Sequence, residues 1–495
     1  MKRILSLFIA ALLVCSLFAG CADTTPETLE TPTPSSAPVE IPSGAAQIVL
    51  SDEGVTVNGE PAGETPSSGV HIARDIVYYE EGHDFTYGEG TAKDEHSAAE
   101  AAAHTVVHIS EPGIYVVSGS ITGQIAVDLG KDAEDDPAAV ATLILNGADI
   151  TCTVAPGIIF YNVYECADKD DASMEVSTTA AGANLVINDG TENTVNGSYV
   201  ARIYKSVELN DAGTEVTDSK KLHKYDGAVY SRMSMNVSGN GSLAINAENE
   251  GLDTEMHLTI NGGDIRIVSG NDGINTNEDG VSVTTINGGA LRIRVDGSTG
   301  EGDGIDSNGW LVINGGTVFS AACADSADAG LDANNGVYIN GGTVCASGNM
   351  LDAIASGGQN CAIFTFAQRQ SGTLSYRVTN AGDDIVAQWT PENSFSILLI
   401  SVPGLVEGEY ALWQGEDKLA VYSGTVNGPP GGGQHPGGAP EPPEGMEPGE
   451  APETPEGDTP PEGQPPQPPE GGGTPDEEDD SFTITDGENS YVTVG

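Results

Sequence analysis

The chain has 495 residues, with 18 Lys+Arg against 74 Asp+Glu and a formal net charge of −56. That balance excludes a nucleic-acid binder, because phosphate contacts need a basic surface, and it excludes electrostatic attachment to anionic lipid. Self-repulsion on this scale opposes compaction unless cations relieve it, so divalent metal is implicated from composition onward.

The chain opens on Met1-Lys-Arg, an apolar run from Ile4 to Phe18, then Ala19-Gly20-Cys21. This reads as a secretory signal over residues 1–20, because the run falls short of the ~20 apolar residues that span a bilayer. Phe-Ala-Gly-Cys resembles a bacterial lipobox. It marks Cys21 for lipidation and predicts an extracytoplasmic protein, lipid-anchored to the cell membrane and facing the cell surface. Residues 21–44 are rich in Thr, Pro, Ser and Glu and predict a tether. The folded part is expected over 45–427. Residues 428–480 are Pro, Gly and Glu with almost no apolar side chain and predict a disordered tail. The closing 481–495 segment has weak strand character and no assigned role.

Five cysteines fall in the folded part: Cys152, Cys166, Cys323, Cys345 and Cys361. The count is odd, so at least one thiol is unpaired, and Cys152–Cys166 and Cys345–Cys361 are two open pairings. No Cys-x-x-Cys or His-rich spacing points to zinc.

The middle of the chain repeats. Ile-Asn-Gly-Gly occurs at Ile260–Gly263, Ile286–Gly289, Ile313–Gly316 and Ile339–Gly342. Apolar residues alternate on both sides of each copy, as in Leu258/Ile260 before and Ile265/Ile267 after, which is strand periodicity. Asn-Gly between strands suggests a hairpin locally. The near-constant period argues instead for stacking of like on like, and so for an all-β, single-stranded parallel β-helix, clearest over 226–360. The third strand of each coil carries a second motif: Glu250-Gly-Leu-Asp253, Asp272-Gly-Ile-Asn275, Asp303-Gly-Ile-Asp306 and Ala329-Gly-Leu-Asp332. Asp226-Gly-Ala-Val229 precedes the series and Asp352-Ala-Ile-Ala355 continues it.

Stacked strands lie about 4.8 Å apart, so acids recurring at one position form a ladder of like charges. Calcium takes six to eight oxygen ligands in irregular geometry and relieves such a ladder. The predicted cofactor is therefore calcium. Its candidate ligands are Asp226, Glu250, Asp253, Asp272, Asn275, Asp303, Asp306, Asp328, Asp332 and Asp352. Solvated turn acids are the alternative. Outward positions place Arg266 and Arg292 in one ladder with Phe319 and Cys345, and Arg294 in the next. With Tyr338 nearby, these arginines form a candidate glycan face, since a guanidinium fork matches a carboxylate. Ion pairing with neighbouring acids competes with that role. His257 is a further outward candidate.

With Asp226-Gly-Ala-Val-Tyr-Ser231, Ile-Asn-Gly-Gly and the Asp-Gly-Ile series in hand, the chain resembles the calcium-binding β-helix carbohydrate-binding domain family of clostridial cell-surface lipoproteins. The likeness extends over roughly 45–425, through Gly113-Ile-Tyr-Val-Val-Ser-Gly119 upstream and Gly408-Glu-Tyr-Ala-Leu-Trp413 downstream. The resemblance implies a fold similar to family 9 pectate lyases and binding of pectic (polygalacturonate) or cellulose-like polysaccharide. Family members often carry Lys after Asp-Gly-Ile, where this chain has Asn275 and Asp306.

The expected function is thus a non-catalytic, monomeric surface lipoprotein that binds polysaccharide through a calcium-stabilised β-helix. Its expected partners are a glycan and, through the lipid, a membrane. A calcium-dependent polysaccharide lyase is one alternative. It needs a base near the metal, and no Lys lies between Lys224 and Lys418. A structural adhesin is the other.

Overall fold

Each Ile-Asn-Gly-Gly ends one strand and begins the next without reversing the chain. Leu258–Ile260 pairs in parallel with Met235–Gly239 on one side and Val283–Ile286 on the other, not with the Asp264–Ser269 strand that follows it. The asparagines of the motif form an amide ladder. Asn287, Asn314 and Asn340 each donate Nδ2 to Oδ1 of the Asn one repeat earlier, at 2.9 Å. Asn188 does the same to Asn146 at 2.7 Å, so the weaker upstream copies share the device. The second Gly adopts φ of 102°, 86°, 82° and 93° at Gly263, Gly289, Gly316 and Gly342, a left-handed bend that a side chain resists.

The computed structural model describes residues 38–66, 68–423 and 480–495. The signal segment, Cys21, most of the 21–44 tether and all but the last residue of 428–480 lie outside the described residues. Among the described residues the fold is nearly all β, with 28 strands in one large, mostly parallel sheet. No helix among them is long and apolar enough to cross a membrane.

The strands fall into three stacks that the chain visits in turn. Stack A includes Leu258–Ile260, Val283–Ile286, Trp310–Ile313 and Val337–Ile339. Stack B includes Asp264–Ser269, Ala290–Val295, Thr317–Ala321 and Thr343–Gly348. Stack C includes Gly227–Ser231, Glu250–Thr254, Ile274–Thr276 and Ile305–Ser307. Inward residues of all three, such as Ile260, Ile267 and Ile274, join one buried cluster. Burying identical β-branched side chains on one another is what fixes the register.

The expected outward ladder is present: Arg266 lies opposite Arg292, Arg292 opposite Phe319, and Phe319 opposite Cys345. Two motif alignments are corrected. Gly227, not Asp226, stands opposite Glu250, so Val229 rather than Ala228 aligns with Leu252. Asp352-Ala-Ile-Ala355 does not continue stack C, because Ile354 bridges to Val337 in stack A. The chain turns away there to meet the C-terminal cap. All five cysteines are free, so neither suggested pairing forms. His257 is buried, not outward. Its Nδ1 accepts the Val283 N–H at 3.0 Å, and burial lowers its pKa.

The C-terminal end of the parallel stacks is covered. Thr343–Gly348 meets Phe395–Ser401 in antiparallel pairing, which ends stack B. The 481–495 segment, without a role on sequence grounds, completes this cap. Asn489–Val494 pairs with Cys361–Gln370 and with Val421–Ser423, and Phe482 packs edge-on to Phe364 at 5.1 Å. The Pro/Gly/Glu-rich stretch therefore joins two paired strands and is an insertion, not a terminal tail. Ending the chain at residue 423 should leave Cys361–Gln370 as an open edge. Light scattering of the truncated protein should show association that the full chain lacks.

Candidate metal centre and adjoining cleft

Acids at the first strands of stack C face one another across neighbouring coils. Asp226, Glu250 and Asp253 converge, with one carboxylate oxygen of each within 4.8 Å of the others, and all three are buried. Asn275 follows Asp253 in register and donates Nδ2 to Glu250 Oε1 at 3.2 Å. Asn277 donates to Asp253 Oδ1 at 2.6 Å. Three buried oxygens, Glu250 Oε2, Asp253 Oδ2 and Asn275 Oδ1, have no hydrogen-bond partner. Leaving such atoms unmatched is costly, and a cation is a guest that could match them.

Electrostatics support the same reading. Burial, then the charge of Asp226, raises the Glu250 carboxyl to about 8, and burial with Glu250 beside it holds Asp253 well above the usual carboxylate range. Lys224 lies against the cluster, its Nζ 2.6 Å from Asp226 Oδ2, and the Asp226 charge raises its pKa. Three carboxylates less one ammonium leave two negative charges, which a divalent cation balances. The donors are all oxygen, which suits a hard cation such as calcium and not zinc.

The other expected ligands are elsewhere. Asp272 Oδ1 accepts the Asp303 N–H at 2.6 Å, and Asp303 Oδ1 accepts the Ala329 N–H at 2.5 Å. Asp328 Oδ2 accepts the Gly302 N–H at 2.6 Å, and Asp352 Oδ2 the Ala333 N–H at 2.9 Å. These acids cap backbone amides that the bends leave without a strand partner. Asp306 follows Asn275 in register, one strand beyond the cluster. Asp332 hydrogen bonds Asp352 at the far end, and burial and that neighbour raise it to about 7. Four acids of the ladder thus cap backbone amides, and only its first rungs, with Asn275, converge.

The arginines occupy the expected face but already hold carboxylates. Arg266 grips both oxygens of Glu392 at 2.9 and 3.3 Å, Arg294 approaches the same side chain at 4.0 Å, and Arg292 binds Asp264 at 2.9 Å. Glu392 arrives from the C-terminal cap, which lies over this face. Tyr338 is not beside them: it pairs with Val312 in stack A, while the arginines are in stack B.

The sequence pattern did not single out a larger cleft on stack C. The hairpin Val200–Leu209 with Val216–Tyr225 is inserted before the first clear repeat and folds over the outer face of stack C. Beneath it lies a cleft of about 650 Å³, lined in part by Tyr161, Tyr225, Lys221, Lys224 and Arg232. Tyr161 meets Tyr225 edge-on at 5.5 Å, and Tyr225 meets Tyr230 at 5.2 Å. The available signal was the run Lys220-Lys221-Leu222-His223-Lys224 in so acidic a chain.

The parallel β scaffold thus carries an acid cluster beside a tyrosine-walled polar cleft. The model of the carbohydrate-binding domain-containing protein family matches residues 103–386, more than half of the chain. The chain belongs to that family. A carbohydrate-binding domain-containing protein of Acetivibrio thermocellus is 30% identical over 163 residues, which are 32% of this chain and 44% of the relative. This chain thus spans less than half the length of that relative. A solved structure of a polysaccharide lyase-like protein from C. thermocellum, a gadolinium derivative, is similar over 60% of this chain and 83% of that one. Its sequence identity is 21% and the TM-score 0.33.

Proposed function

We propose that this protein is a non-catalytic, lipid-anchored surface protein that binds plant-type polysaccharide, pectic or cellulose-like, on a calcium-stabilised parallel β-helix. The observation that carries the metal reading is the set of buried, unpartnered oxygens on Glu250, Asp253 and Asn275 beside Asp226. The β-helix reading rests on the A, B, C order of the strands and their common core. Asp226, Glu250, Asp253 and Asn275 would hold the cation, and bound calcium supplies the charge that lets the three carboxylates stay ionised together. Lys224 offsets part of that charge, and Asn277 orients Asp253 by its hydrogen bond.

Glu250→Gln tests the cluster. It removes one charged ligand, so the rise in melting temperature with calcium should vanish, while the chelated variant should melt no lower than chelated wild type. A calcium shift that survives the substitution sinks this assignment. Binding to pectic and cellulosic polymers, measured by co-sedimentation with calcium and with chelator, tests the ligand class.

A second reading is a polysaccharide lyase, with Lys224 at the cluster's edge as its candidate base, against which stands the Asp226 charge that keeps the amine protonated. Eliminative cleavage needs an amine to take a proton from the sugar carbon beside a metal-bound carboxylate. Incubation with polygalacturonate and calcium separates the readings. New ultraviolet absorbance from unsaturated uronides that is lost in Lys224→Ala would establish the lyase, and its absence supports a binder.

A further inference from the structure

The last two strands of the chain are held by segments that precede them by many residues. Phe482–Ile484 pairs antiparallel with Gly408–Gln414, and Asn489–Val494 runs parallel to Cys361–Gln370 and antiparallel to Val421–Ser423. Phe482, Ile484, Val492 and Val494 are buried in one cluster with Phe364 and Leu412. Polar contacts fix the turn between the two strands. Asn360 Nδ2 donates to Asp486 Oδ1 at 3.0 Å, and the Gly487 N–H donates to Asn360 Oδ1 at 3.0 Å. Asn489 Nδ2 donates to the Ile354 carbonyl at 2.8 Å. All of these cap partners precede residue 424.

The connection is far longer than closure requires. Val421–Ser423 lies against Phe482–Ile484, so a few residues would join them. The sequence instead places 56 residues, 424–479, between the two. A stretch of that length reaches at most about 190 Å. Because the groove is built wholly from residues before 424, it presents the same surface to its own closing segment and to that of another copy. We propose that the C-terminal cap is an exchange interface, in which two copies of this chain place Phe482–Val494 reciprocally in each other's groove and so form a symmetric dimer.

The proposal is independent of the metal and glycan readings. Each groove makes the same contacts in both forms, so the dimer gains and loses none. It should form where the protein concentration approaches the effective concentration of the tethered segment, which lies about in the millimolar range or below and falls with tether length. Charge opposes the encounter. Residues 424–479 carry 13 Asp+Glu and no Lys or Arg, and each copy has a formal net charge of −56. Screening shortens that repulsion from about 10 Å at 0.1 M salt to about 3 Å at 1 M, so salt should favour the dimer.

Two measurements test the proposal on the full chain. Phe482→Asp puts a charge in the buried cluster and should empty the groove. A fluorescent peptide of residues 480–495 should bind this variant about a hundredfold more tightly than wild type, whose own segment competes for the groove. Ile484→Asp should behave the same way. Failure of the peptide to bind either variant overturns capture of the segment from another molecule. Exchange itself is read by native mass spectrometry of ordinary and isotopically heavy chains, refolded together at about 1 mM, near the effective concentration. Mixed dimers that increase with salt, and that are lost when both chains carry Phe482→Asp, are expected. No mixed dimers from wild type, or equal amounts from the Phe482→Asp chains, would overturn the exchange.

Discussion

Chelated protein should lose stability as the pH is raised from about 5 to about 8, and calcium should return it. Glu250 is raised from the ordinary 4.5 to about 8, by burial first and by the Asp226 charge next. Between those two values the folded chain holds a proton that the unfolded chain has released. Native protein then binds more protons than unfolded protein, so stability falls with rising pH. The contribution is fully present below about 4.5 and is lost as pH rises through about 8. Glu250 alone accounts for roughly 3 kcal/mol over this window, at about 1.4 kcal/mol per pH unit. Asp253, Asp272 and Asp303, all raised chiefly by burial, act in the same direction.

On the proposed metal reading calcium would replace those protons, because it would bind only the ionised cluster of the folded chain. At a hundred times its dissociation constant it adds about 2.7 kcal/mol. Denaturant melts at several pH values, with calcium and with chelator, should therefore converge at acid pH and diverge at alkaline pH. Glu250→Gln should flatten the chelated curve. A chelated stability that rises from about pH 5 to about pH 8 contradicts the buried, mutually repelling carboxylates on which the metal reading stands.

The second large effect concerns the glycine of the Asp-Gly-Ile motif. A Cβ on Gly273 would lie 2.2 Å from Ile293 Cγ2 and 2.5 Å from the Gly304 carbonyl oxygen. Gly251 meets Ile267 at 2.4 Å in the same way, and Gly304 meets the Ser320 hydroxyl. Stack C crosses directly over the inward side chains of stack B, and only a residue without a side chain fits between. Space, not backbone conformation, selects the glycine. Gly273→Ala should cost about 3 kcal/mol, the upper part of the range for overpacking, because a carbonyl of the neighbouring strand cannot rotate away. Gly280 provides the contrast. It has φ of 70°, and a Cβ there would meet nothing within 4 Å, so Gly280→Ala should cost only about 1 kcal/mol of backbone strain. Equal losses at the two sites would show that the crossing is looser than the distances state.

Much of the fold was legible because its contacts are periodic. The steps between Ile-Asn-Gly-Gly copies placed Arg266, Arg292, Phe319 and Cys345 in one ladder, and the structure has that register. Alternation named Leu258, Ile260, Ile265 and Ile267 as inward, and all four are buried. A like residue one repeat away is the neighbour in space, so the sequence states the contact directly. The candidate site was legible only in part. Acidic type and position pointed to stack C, but four of the nine acids cap the N–H groups of bends, and the capping partner depends on how each bend turns.

What the sequence alone determined is the repeating unit: strand periodicity, the spacing of Asn-Gly-Gly between strands and the stack on which acids gather. The tertiary structure decided everything contributed by aperiodic segments. It brings Lys224 to Asp226 from an inserted hairpin, lays Glu392 over the arginines from the C-terminal cap, and returns Asn489–Val494 to Cys361–Gln370 from far along the chain. The reason is physical. A stacked repeat is stabilised by contacts at fixed sequence separation, whereas caps and insertions are placed by whichever edge, charge or apolar surface they cover, and no period records that choice.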